Sequence, residues 1–548
     1  MKKFVSSLLL TTVAVIAFSP SASSQVVWEN HRSEVYPYLY RMAQKGLIEF
    51  NDLIRPVSRQ HIFEQLETLA GKTDQLSERE KQELNFYLQE YRPHTQADSI
   101  TAVSHLLRKD ANKRWRAFSV VTKDFQLHAD PILSVGGVSI RDNSFRQVSN
   151  GLQFWGTAKR WGFQFYYRDI TESGTGMRNF REESPETGII RVGTFNQEQQ
   201  NHSEIRANIS YAWKKSSLSL GKDQYLWGYG ENGRIVNSDK SPSFTYLRWD
   251  YQPLPWMRFQ YMHGWLNSNL VDSNRTYGTG TTGVFDDVRL IFRSKYIASH
   301  TLQITPIRGL NISVGESIVY SDRLDPGFLI PFNLFKVYDN NRSFNNLNAG
   351  NNGQLFAQVS SRNHLKNTHL YATLFIDEIR ISSMFDRQRS RNQIGFNAGF
   401  SVTDLFLHYL TVGAEYTRVN PFVYQNLVPT QNYTHHDHLM GDWLGANSDR
   451  FIAFMRYNPL PRLRLNMRYQ YIRKGAPGSI WDQYYAEPQP RFLSDFRFNR
   501  SDLHLGFHYE WINNLYIIGN VRLQNREAAN GTSVRQNIMQ LGIHYGLQ

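Results

Sequence analysis

The chain has 548 residues, a formal net charge of +13 and no cysteine. The missing cysteine excludes disulfides, thiolate metal sites and cysteine nucleophiles. No apolar run after the N-terminus approaches the roughly 18 residues that a transmembrane helix needs. A mean hydropathy of −0.50 with 14% aromatic residues is instead typical of a membrane barrel that has aromatic belts at the two interfaces.

The N-terminus predicts export. Met1-Lys2-Lys3 forms a basic n-region, residues 4–18 form an apolar h-region, and Ala22-Ser23-Ser24 forms a small-residue cleavage site. We therefore expect residues 1–24 to be a secretory signal peptide. A basic exported protein can meet anionic glycans, lipopolysaccharide or phosphate-bearing polymers, and charge alone does not choose between them.

Residues 25–115 carry helical patterns. Apolar residues recur every three or four positions in three stretches, around Leu39, Leu66 and Leu88. Ser77, followed three residues later by Glu80, predicts a capping box at the start of the third helix. We expect residues 25–115 to form a periplasmic helical head, which lies under or inside the mouth of a barrel.

From residue 116 onward the apolar period changes to two. In residues 539–547 every odd position is apolar or aromatic, and every even position is polar or glycine. A strand with one apolar and one polar face fits a bilayer only if the polar face points into a closed barrel. Residues 116–548 are therefore predicted to form a transmembrane β-barrel, whose last strand pairs with the first strand near Phe125.

The number of strands follows from the connections between them. Eight short breaks keep the alternation on both sides, at 159–160, 214–216, 252–255, 306–309, 364–366, 403–406, 458–461 and 512–514. Nine long polar stretches separate the pairs, at 141–150, 171–203, 227–243, 266–285, 321–352, 378–391, 419–449, 474–499 and 526–534. Together they join eighteen strands, an even number that returns both chain ends to the periplasm. The predicted fold class is mainly β, an outer-membrane antiparallel β-barrel of about 18 strands with an N-terminal periplasmic α-helical bundle.

The alternation also assigns side chains to the lumen. Inward positions carry more arginine than carboxylate, so the lumen is predicted to be positive. The predicted basic residues of the lumen are Arg168, Arg206, Arg248, Arg258, Arg289, Arg293, Arg456, Arg464 and Arg468. Glu204, Asp250 and Asp502 point inward with them. Two interpretations stay open: structural ion pairs that hold a wide barrel, or an interior that attracts a charged glycan.

Three motifs bear on catalysis and cofactors. The G-x-G-x-x-G pattern of residues 228–233 lies between strands rather than before a helix, which argues against a dinucleotide site. The stretch His435–His438, with Asp442, offers metal ligands, but its spacing fixes no coordination geometry and a polar surface loop is the alternative. No Ser-His-acid constellation stands out around His504 and His508. We expect no enzyme activity, no catalytic residue, no cofactor and no bound metal.

Two aromatic clusters with a nearby charge mark the long loops. Trp227, Tyr229 and Arg234 lie at the start of one loop, and Trp481, Tyr485 and Arg491 lie in another. Sugar rings stack on aromatic faces while charged groups hold their hydroxyls and carboxylates, so both clusters are candidate glycan sites. The alternative is that they form an interfacial aromatic belt and pack the loops.

Several segments, in this order along the chain, resemble the outer-membrane capsule assembly Wzi family. They are residues 38–46, 55–59, 220–230, 296–300, 315–316, 375–379 and 441–449. The resemblance covers nearly all of the mature chain. It implies an eighteen-stranded barrel with a periplasmic helical bundle that acts as a surface lectin and anchors capsular polysaccharide, and that is neither an enzyme nor an open porin.

The resemblance adds the strand end Asp377-Glu378 to the places that a glycan could contact. The predicted polysaccharide-binding residues are therefore Trp227, Tyr229, Arg234, Asp377, Glu378, Trp481, Tyr485 and Arg491. Expected partners are capsular or other surface polysaccharide, outer-membrane lipid and the barrel insertion machinery, with no nucleic acid and a monomeric state. The expected location is the outer membrane of a Gram-negative bacterium, with extracellular loops. The alternative function is an outer-membrane channel that passes anionic solutes or glycans.

Overall fold

The alternating part of the chain folds into eighteen long antiparallel strands that close into a barrel. The structure, a computed structural model, describes residues 26–93, 108–110, 112–122, 124–177, 199–280, 287–343, 350–379, 385–386, 392–476 and 489–546. In chain order, β1 to β18 are Phe125–Ile140, Asn143–Ala158, Trp161–Gly174, Gln199–Trp213, Ser216–Asp223, Phe244–Leu254, Met257–Val271, Phe292–Ile307, Leu310–Ser321, Asn352–Arg362, Thr368–Ile379, Asn392–Thr403, Leu410–Val419, Ser448–Leu460, Leu463–Lys474, Phe498–Ile512, Leu515–Ala528 and Ser533–Tyr545. The predicted strand number is confirmed.

Two strands share the closing edge of the barrel. The last strand, β18, pairs with the first, β1, from Ile538 opposite Ile140 to Tyr545 opposite Leu133. The rest of that edge pairs with a short strand, Phe118–Val121, which contacts residues 126–129 of β1. Both edges of the sheet are thereby covered, as a barrel in a membrane requires.

The outer surface is apolar where the alternation predicts it. Leu541 of β18 keeps 60% of its surface exposed, while Gln470, at an inward position of β15, is buried in the lumen. Met467 and Tyr469 of β15 are likewise exposed on the outside. Such a belt of exposed apolar side chains is the lipid-facing surface of a membrane barrel. Among the described residues, no helix is long and apolar enough to cross a membrane.

One predicted loop does not exist. Residues 141–150 were expected to form a long polar connection, but only Arg141 and Asp142 separate β1 from β2. The backbone ladder continues to the pair Ile140–Asn143 because ladder hydrogen bonds do not depend on apolar side chains. Arg141 takes a positive φ of 52°, the conformation that a two-residue hairpin turn demands.

The described part of the head contains three α-helices, α1 (Val35–Gln44), α2 (Arg59–Ala70) and α3 (Glu78–Tyr91). The predicted capping box is confirmed, because Ser77 and Glu80 each accept from the other's backbone amide. The apolar stripes pack against one another in one buried cluster around Leu39, Leu66 and Leu84. Such burial, rather than helix propensity alone, stabilises helices of this length.

The head lies at the end of the barrel that carries the short connections, here called the head end. Arg41 of α1 donates to Asp404, in the turn after β12, at 2.8 Å. Arg79 of α3 donates to the Asn458 carbonyl near the end of β14 at 2.6 Å. Gln44 donates to the Ser401 hydroxyl of β12 at 2.7 Å. The long connections leave the opposite end, here called the loop end.

The connection after β9 turns back along the outside of the barrel. It contains the 3-10 turn Pro326–Leu329 and the helix α4, Phe335–Ser343. Phe328 and Phe335 pack with a group of outward-facing wall residues, Phe259, Tyr261, Ala298, Ile318 and Tyr320. The prediction of a polar loop at 321–352 is wrong for this part, because its phenylalanines cover the lipid-facing wall. Residues 326–343 are called the outer flap below.

A polar pair under the outer flap fixes it to the wall. Glu316 of β9 accepts from the backbone amide of Phe335, the first residue of α4, at 2.6 Å. His300 of β8 lies beside the same carboxylate, with its Nε2 3.3 Å from Oε1. A carboxylate at a helix N-terminus satisfies free amides and interacts favourably with the helix dipole.

Candidate functional site

Two long connections of the loop end fold into the lumen instead of extending into solvent. The first plug loop is residues 224–243, and the second plug loop is residues 420–447. Their apolar side chains form one buried cluster with inward residues of the wall: Tyr225, Trp227, Ile235, Val236, Val423, Tyr424, Tyr433 and Met440 pack against Tyr246, Ile297, Phe356 and Phe375. The interior of the barrel at this level is therefore a packed core.

Buried polar groups join the two plug loops. Tyr424 and Tyr433 donate their hydroxyls to the carbonyls of Ile235 and Val236 at 2.7 and 2.8 Å. Trp443 donates its indole N–H to the Asn232 carbonyl at 2.6 Å. Because a buried carbonyl without a donor costs free energy, these bonds allow irregular backbone to lie inside the barrel.

The first plug loop reaches down to the head. Its residues Leu226–Trp227 pair as a short strand with Ile54–Arg55 of the head. Gly228 then donates its amide to the Leu53 carbonyl at 2.9 Å. Gly228 has a positive φ of 98°, and a Cβ there would lie 2.6 Å from the Gln358 side chain, so the G-x-G-x-x-G pattern serves a tight turn. Head and plug loops together fill the lumen from both ends.

An ionic cluster holds the second plug loop to the wall. Arg450 of β14 is fully buried, and its Nη2 lies 2.9 Å from Asp442 of the plug loop and 3.7 Å from Glu415 of β13. Tyr371 donates its hydroxyl to Glu415 at 2.7 Å, and Glu231 of the first plug loop donates its backbone amide to the same carboxylate at 3.0 Å. Arg450 is not among the lumen residues predicted from the sequence, although its position in an alternating strand directs it inward like Arg456.

Ion pairs also attach the head to the barrel wall. Asp52 lies 2.5 Å from Nη2 of Arg362 on β10 and also contacts Arg55. Burial raises the pKa of the Asp52 carboxyl, but the two guanidinium groups outweigh it and hold that pKa well below its usual range. Glu34 contacts Arg464 of β15 and the imidazole of His508 on β16. Burial opposes ionisation of Glu34 too, yet its cationic partners lower its pKa to about 2.

Most of the predicted lumen arginines are engaged in structural contacts. Arg248 lies 2.6 Å from Asp250, Arg206 lies 3.4 Å from Glu204, and Arg168 donates to the Ser149 hydroxyl at 3.0 Å. Arg258 donates to Gln252 at 3.2 Å, and Arg456 contacts Glu231. These contacts favour the interpretation in which lumen charges hold the barrel and its plug.

Two of the predicted lumen arginines lie at the loop end. Arg293 is exposed and lies 3.9 Å from Asp322. Arg289 is not in the barrel wall, because β8 begins only at Phe292, and it pairs in a separate two-residue ladder with Tyr277. Its assignment to the lumen was wrong. The apolar alternation of residues 288–304 begins in this separate ladder, which is not part of the barrel wall.

The structure buries four of the predicted polysaccharide-binding residues. Trp227 is 1% exposed, Tyr229 and Asp377 are also buried, and Arg234 is 9% exposed in the first plug loop. Asp377 accepts from the Tyr424 amide at 2.6 Å and from Gln354 at 3.1 Å, so it anchors the second plug loop. The structure thus places these residues in the plug, and their direct contact with sugar stays a prediction.

Two of the remaining predicted residues lie at the loop end. Glu378 and Arg491 are exposed there. Trp481 and Tyr485 lie outside the described residues. Near Arg491, Gln489 accepts from the Asn392 amide at 2.6 Å, and Ser494 donates its amide to the Arg491 carbonyl at 2.9 Å. This exposed border of the loop end, represented by Glu378 and Arg491, is called the rim below.

The histidine-rich stretch is part of the second plug loop. His435 accepts from the Asn267 backbone amide through Nδ1 at 3.0 Å. Burial lowers the pKa of His435 to about 3, so the imidazole is neutral. Asp442 is engaged with Arg450, as described above. Across the part of the chain that the structure describes, no three His, Asp or Glu side chains come together as a metal site.

Comparison with known proteins places this architecture in a family. The family model of capsule assembly protein Wzi matches residues 148–520. Among solved structures, the chain is similar to Wzi of Escherichia coli, described as a carbohydrate-binding β-barrel of the outer membrane involved in group 1 capsule assembly. That match has a TM-score of 0.57 and 12% sequence identity, and covers 96% of this chain and 100% of the other.

Two proteins of Pseudomonas aeruginosa also match. OpdK, solved with vanillate, has a TM-score of 0.44 and 10% identity and covers 76% of this chain and 98% of its own. OccK5 (OpdH) has a TM-score of 0.40 and 12% identity over 78% and 99%. No curated protein matches the chain in sequence. Because the matched family model covers more than half of the chain, the protein belongs to the Wzi family of capsule assembly proteins.

Proposed function

We propose that this protein binds surface polysaccharide at the outer membrane, anchors capsule to the cell and assists capsule assembly without catalysis. The observation that carries the proposal is a Wzi-family barrel whose lumen is packed with plug loops and head. A packed interior leaves the exposed face of the loop end as the part of the molecule available to a long polymer. The carbohydrate binding described for E. coli Wzi supports the same role.

The orientation follows from the construction of the barrel. The head is joined to the short connections, and in bacterial outer-membrane barrels short turns face the periplasm while longer loops face outward. We therefore infer that the head is periplasmic and that the loop end is extracellular. The signal peptide predicted at residues 1–24 supports export.

Within the loop end, we infer that the rim contacts the glycan. Glu378 and Arg491 offer an exposed acceptor and an exposed donor for hydroxyl and carboxylate groups. Trp481 and Tyr485, which lie outside the described residues, are the aromatic residues proposed to stack on sugar rings. The buried residues Trp227, Tyr229, Arg234 and Asp377 contribute indirectly, by holding the plug loops under the rim.

A cellular experiment tests this proposal. In cells that lack the native gene, the double substitution Glu378→Ala with Arg491→Ala should reduce the polysaccharide retained on the surface, while the level of folded protein in the membrane stays the same. The matched control is Glu527→Ala with Arg535→Ala, which removes the same charges from exposed positions near the β17–β18 turn. Wild-type retention by the Glu378→Ala, Arg491→Ala variant would place the binding site away from these two residues.

A further inference from the structure

A cavity of about 420 Å³ lies within the lumen between the head, the first plug loop and the wall. We call it the arginine chamber, because guanidinium groups from all three parts line it: Arg41 and Arg55 from the head, Arg234 from the plug loop, and Arg456, Arg464 and Arg468 from the wall. Arg32 and Arg456 keep 39% and 35% of their side-chain surface exposed, so solvent reaches the chamber. Its volume falls within the range of small-molecule sites.

Four of these guanidinium groups contact carboxylates of the protein. Arg41 contacts Glu80 at 2.6 Å and Asp404 at 2.8 Å. Arg55 contacts Asp52, Arg456 contacts Glu231, and Arg464 contacts Glu34. Asp52 is shared with Arg362, but each of these four guanidinium groups has a carboxylate of the protein in contact.

Arg234 and Arg468 differ, because neither contacts a carboxylate in the described part of the chain. Arg234 is nine-tenths buried, and its hydrogen bond goes to the neutral carbonyl of Gly228. The Nε of Arg468 is buried and has no hydrogen-bond partner among the described residues. Arg468 as a whole is only partly buried, so part of its guanidinium group can face the chamber. A guanidinium group does not release its proton at neutral pH, so both side chains keep a positive charge that no carboxylate of the described residues within ion-pair distance offsets.

Aromatic side chains complete the walls. Tyr40, Tyr229, Tyr371 and Tyr409 line the same chamber. The hydroxyls of Tyr40, Tyr371 and Tyr409 are already hydrogen-bonded within the protein, so these residues offer ring faces for the C–H edges of a sugar. The chamber therefore combines unpaired cations, which match oxyanions in a bidentate manner, with surfaces that suit a small polar ring.

We propose that the arginine chamber binds an oxyanion group, the carboxylate of an acidic sugar or a phosphate, between Arg234 and Arg468. The oxyanion supplies the counter-charge that both guanidinium groups lack. Two sources share this chemistry, an acidic monosaccharide unit and free phosphate, and the tyrosines favour the sugar. The inference does not rest on glycan binding at the rim, because the chamber lies at the opposite end of the plug.

The test uses the purified full-length protein in detergent, with glucuronate, inorganic phosphate and neutral glucose as probes. Calorimetric titration should show saturable binding of glucuronate or phosphate and no binding of glucose. Arg234→Gln and Arg468→Gln should each weaken the anion at least about tenfold, because each removes one of two charged partners. Arg535→Gln, which removes an exposed arginine near the β17–β18 turn, should leave it unchanged.

The titrations distinguish the two sources of the oxyanion and also test whether the site exists. Tighter binding of glucuronate than phosphate identifies an acidic sugar as the source, and the reverse order identifies phosphate. If the Arg234 substitution disturbs folding, Arg468→Gln on the wall serves as the deciding variant. Anion binding that is equal in the wild type and Arg468→Gln, or the absence of anion binding at millimolar concentration, would overturn the proposal. Neither result concerns polysaccharide retention by the rim, which is measured separately.

Discussion

Asp52 of the helical head accepts a hydrogen bond from Nη2 of Arg362 on the barrel wall at a distance of 2.5 Å. The same guanidinium group donates to the Phe50 carbonyl, and both side chains are almost completely buried. These bonds join residues 50–52 of the head to a strand from the middle of the barrel sequence. The head is therefore an integral part of the lumen.

The first prediction concerns this ion pair. Asp52→Asn should destabilise the docked head by about 3 to 5 kcal/mol, because it leaves the buried Arg362 without its counter-charge. Thermal unfolding of the protein in detergent, monitored by proteolysis of the head, measures the effect. Asp74→Asn, a change at an exposed position of the head, should have no effect. Equal protease resistance of the two variants would show that the Asp52 pair does not hold the head.

The second prediction concerns the stability of the head at low pH. The pKa of Glu34 is lowered in the folded protein, so its contribution is complete above its ordinary pKa of about 4.5 and is lost as the pH falls toward 2. The melting temperature of the head should therefore decrease between pH 5 and pH 3. Glu34→Gln should melt lower at pH 7 and show a smaller decrease with acid. A variant that retains the full acid dependence would exclude Glu34 as its source.

The third prediction concerns the plug. Trp227→Ala removes a fully buried ring from the contact between Phe356 and Tyr225 and should cost about 3 to 5 kcal/mol of plug packing. In planar bilayers the wild type should pass little current, and the variant should show larger and fluctuating conductance. Trp256→Ala, at an exposed position of the head end, is the control. High conductance of the wild type would instead favour the channel function.

The fourth prediction concerns the outer flap. Because the chain has no cysteine, Val337→Cys gives a single attachment site for a spin label. The label should be accessible to oxygen and protected from a water-soluble nickel complex, like a label at Leu355→Cys on the exposed wall. Glu316→Ala should release the flap and expose the label to nickel. A Val337 label that behaves like one at Phe385→Cys, 91% exposed at the loop end, would place the flap outside the bilayer.

The regular part of this fold could be predicted from the sequence, because period-2 alternation fixes both the strands and their faces. The capping box of Ser77 follows from a local rule, and the pairing of β18 with β1 follows from the requirement that a membrane barrel leave no sheet edge open. The outer flap could not, since the buried residues Phe328 and Phe335 occur without a helical or alternating period. Their burial depends on a wall that only the closed barrel provides.

The candidate site was harder to predict because polar composition does not reveal whether a loop is exposed. The second plug loop can be buried because two wall residues satisfy its polar groups. Asp377 accepts a hydrogen bond from its backbone, and Arg450 forms an ion pair with its Asp442. Such pairs join residues of different strands and loops, and spacing along the chain carries no signal for them. The cluster around Trp227 was found correctly as a cluster, with loop packing as one of its two interpretations.

We propose that a barrel filled by its head and plug loops binds surface polysaccharide through its extracellular rim. The most direct measurement is a titration of the purified protein, reconstituted in lipid nanodiscs, with capsular polysaccharide from the same bacterium. We predict saturable binding that the double substitution of Glu378 and Arg491 to alanine weakens at least about tenfold, an effect of at least about 1.4 kcal/mol. The absence of binding to this polysaccharide by the intact, folded protein would contradict the account.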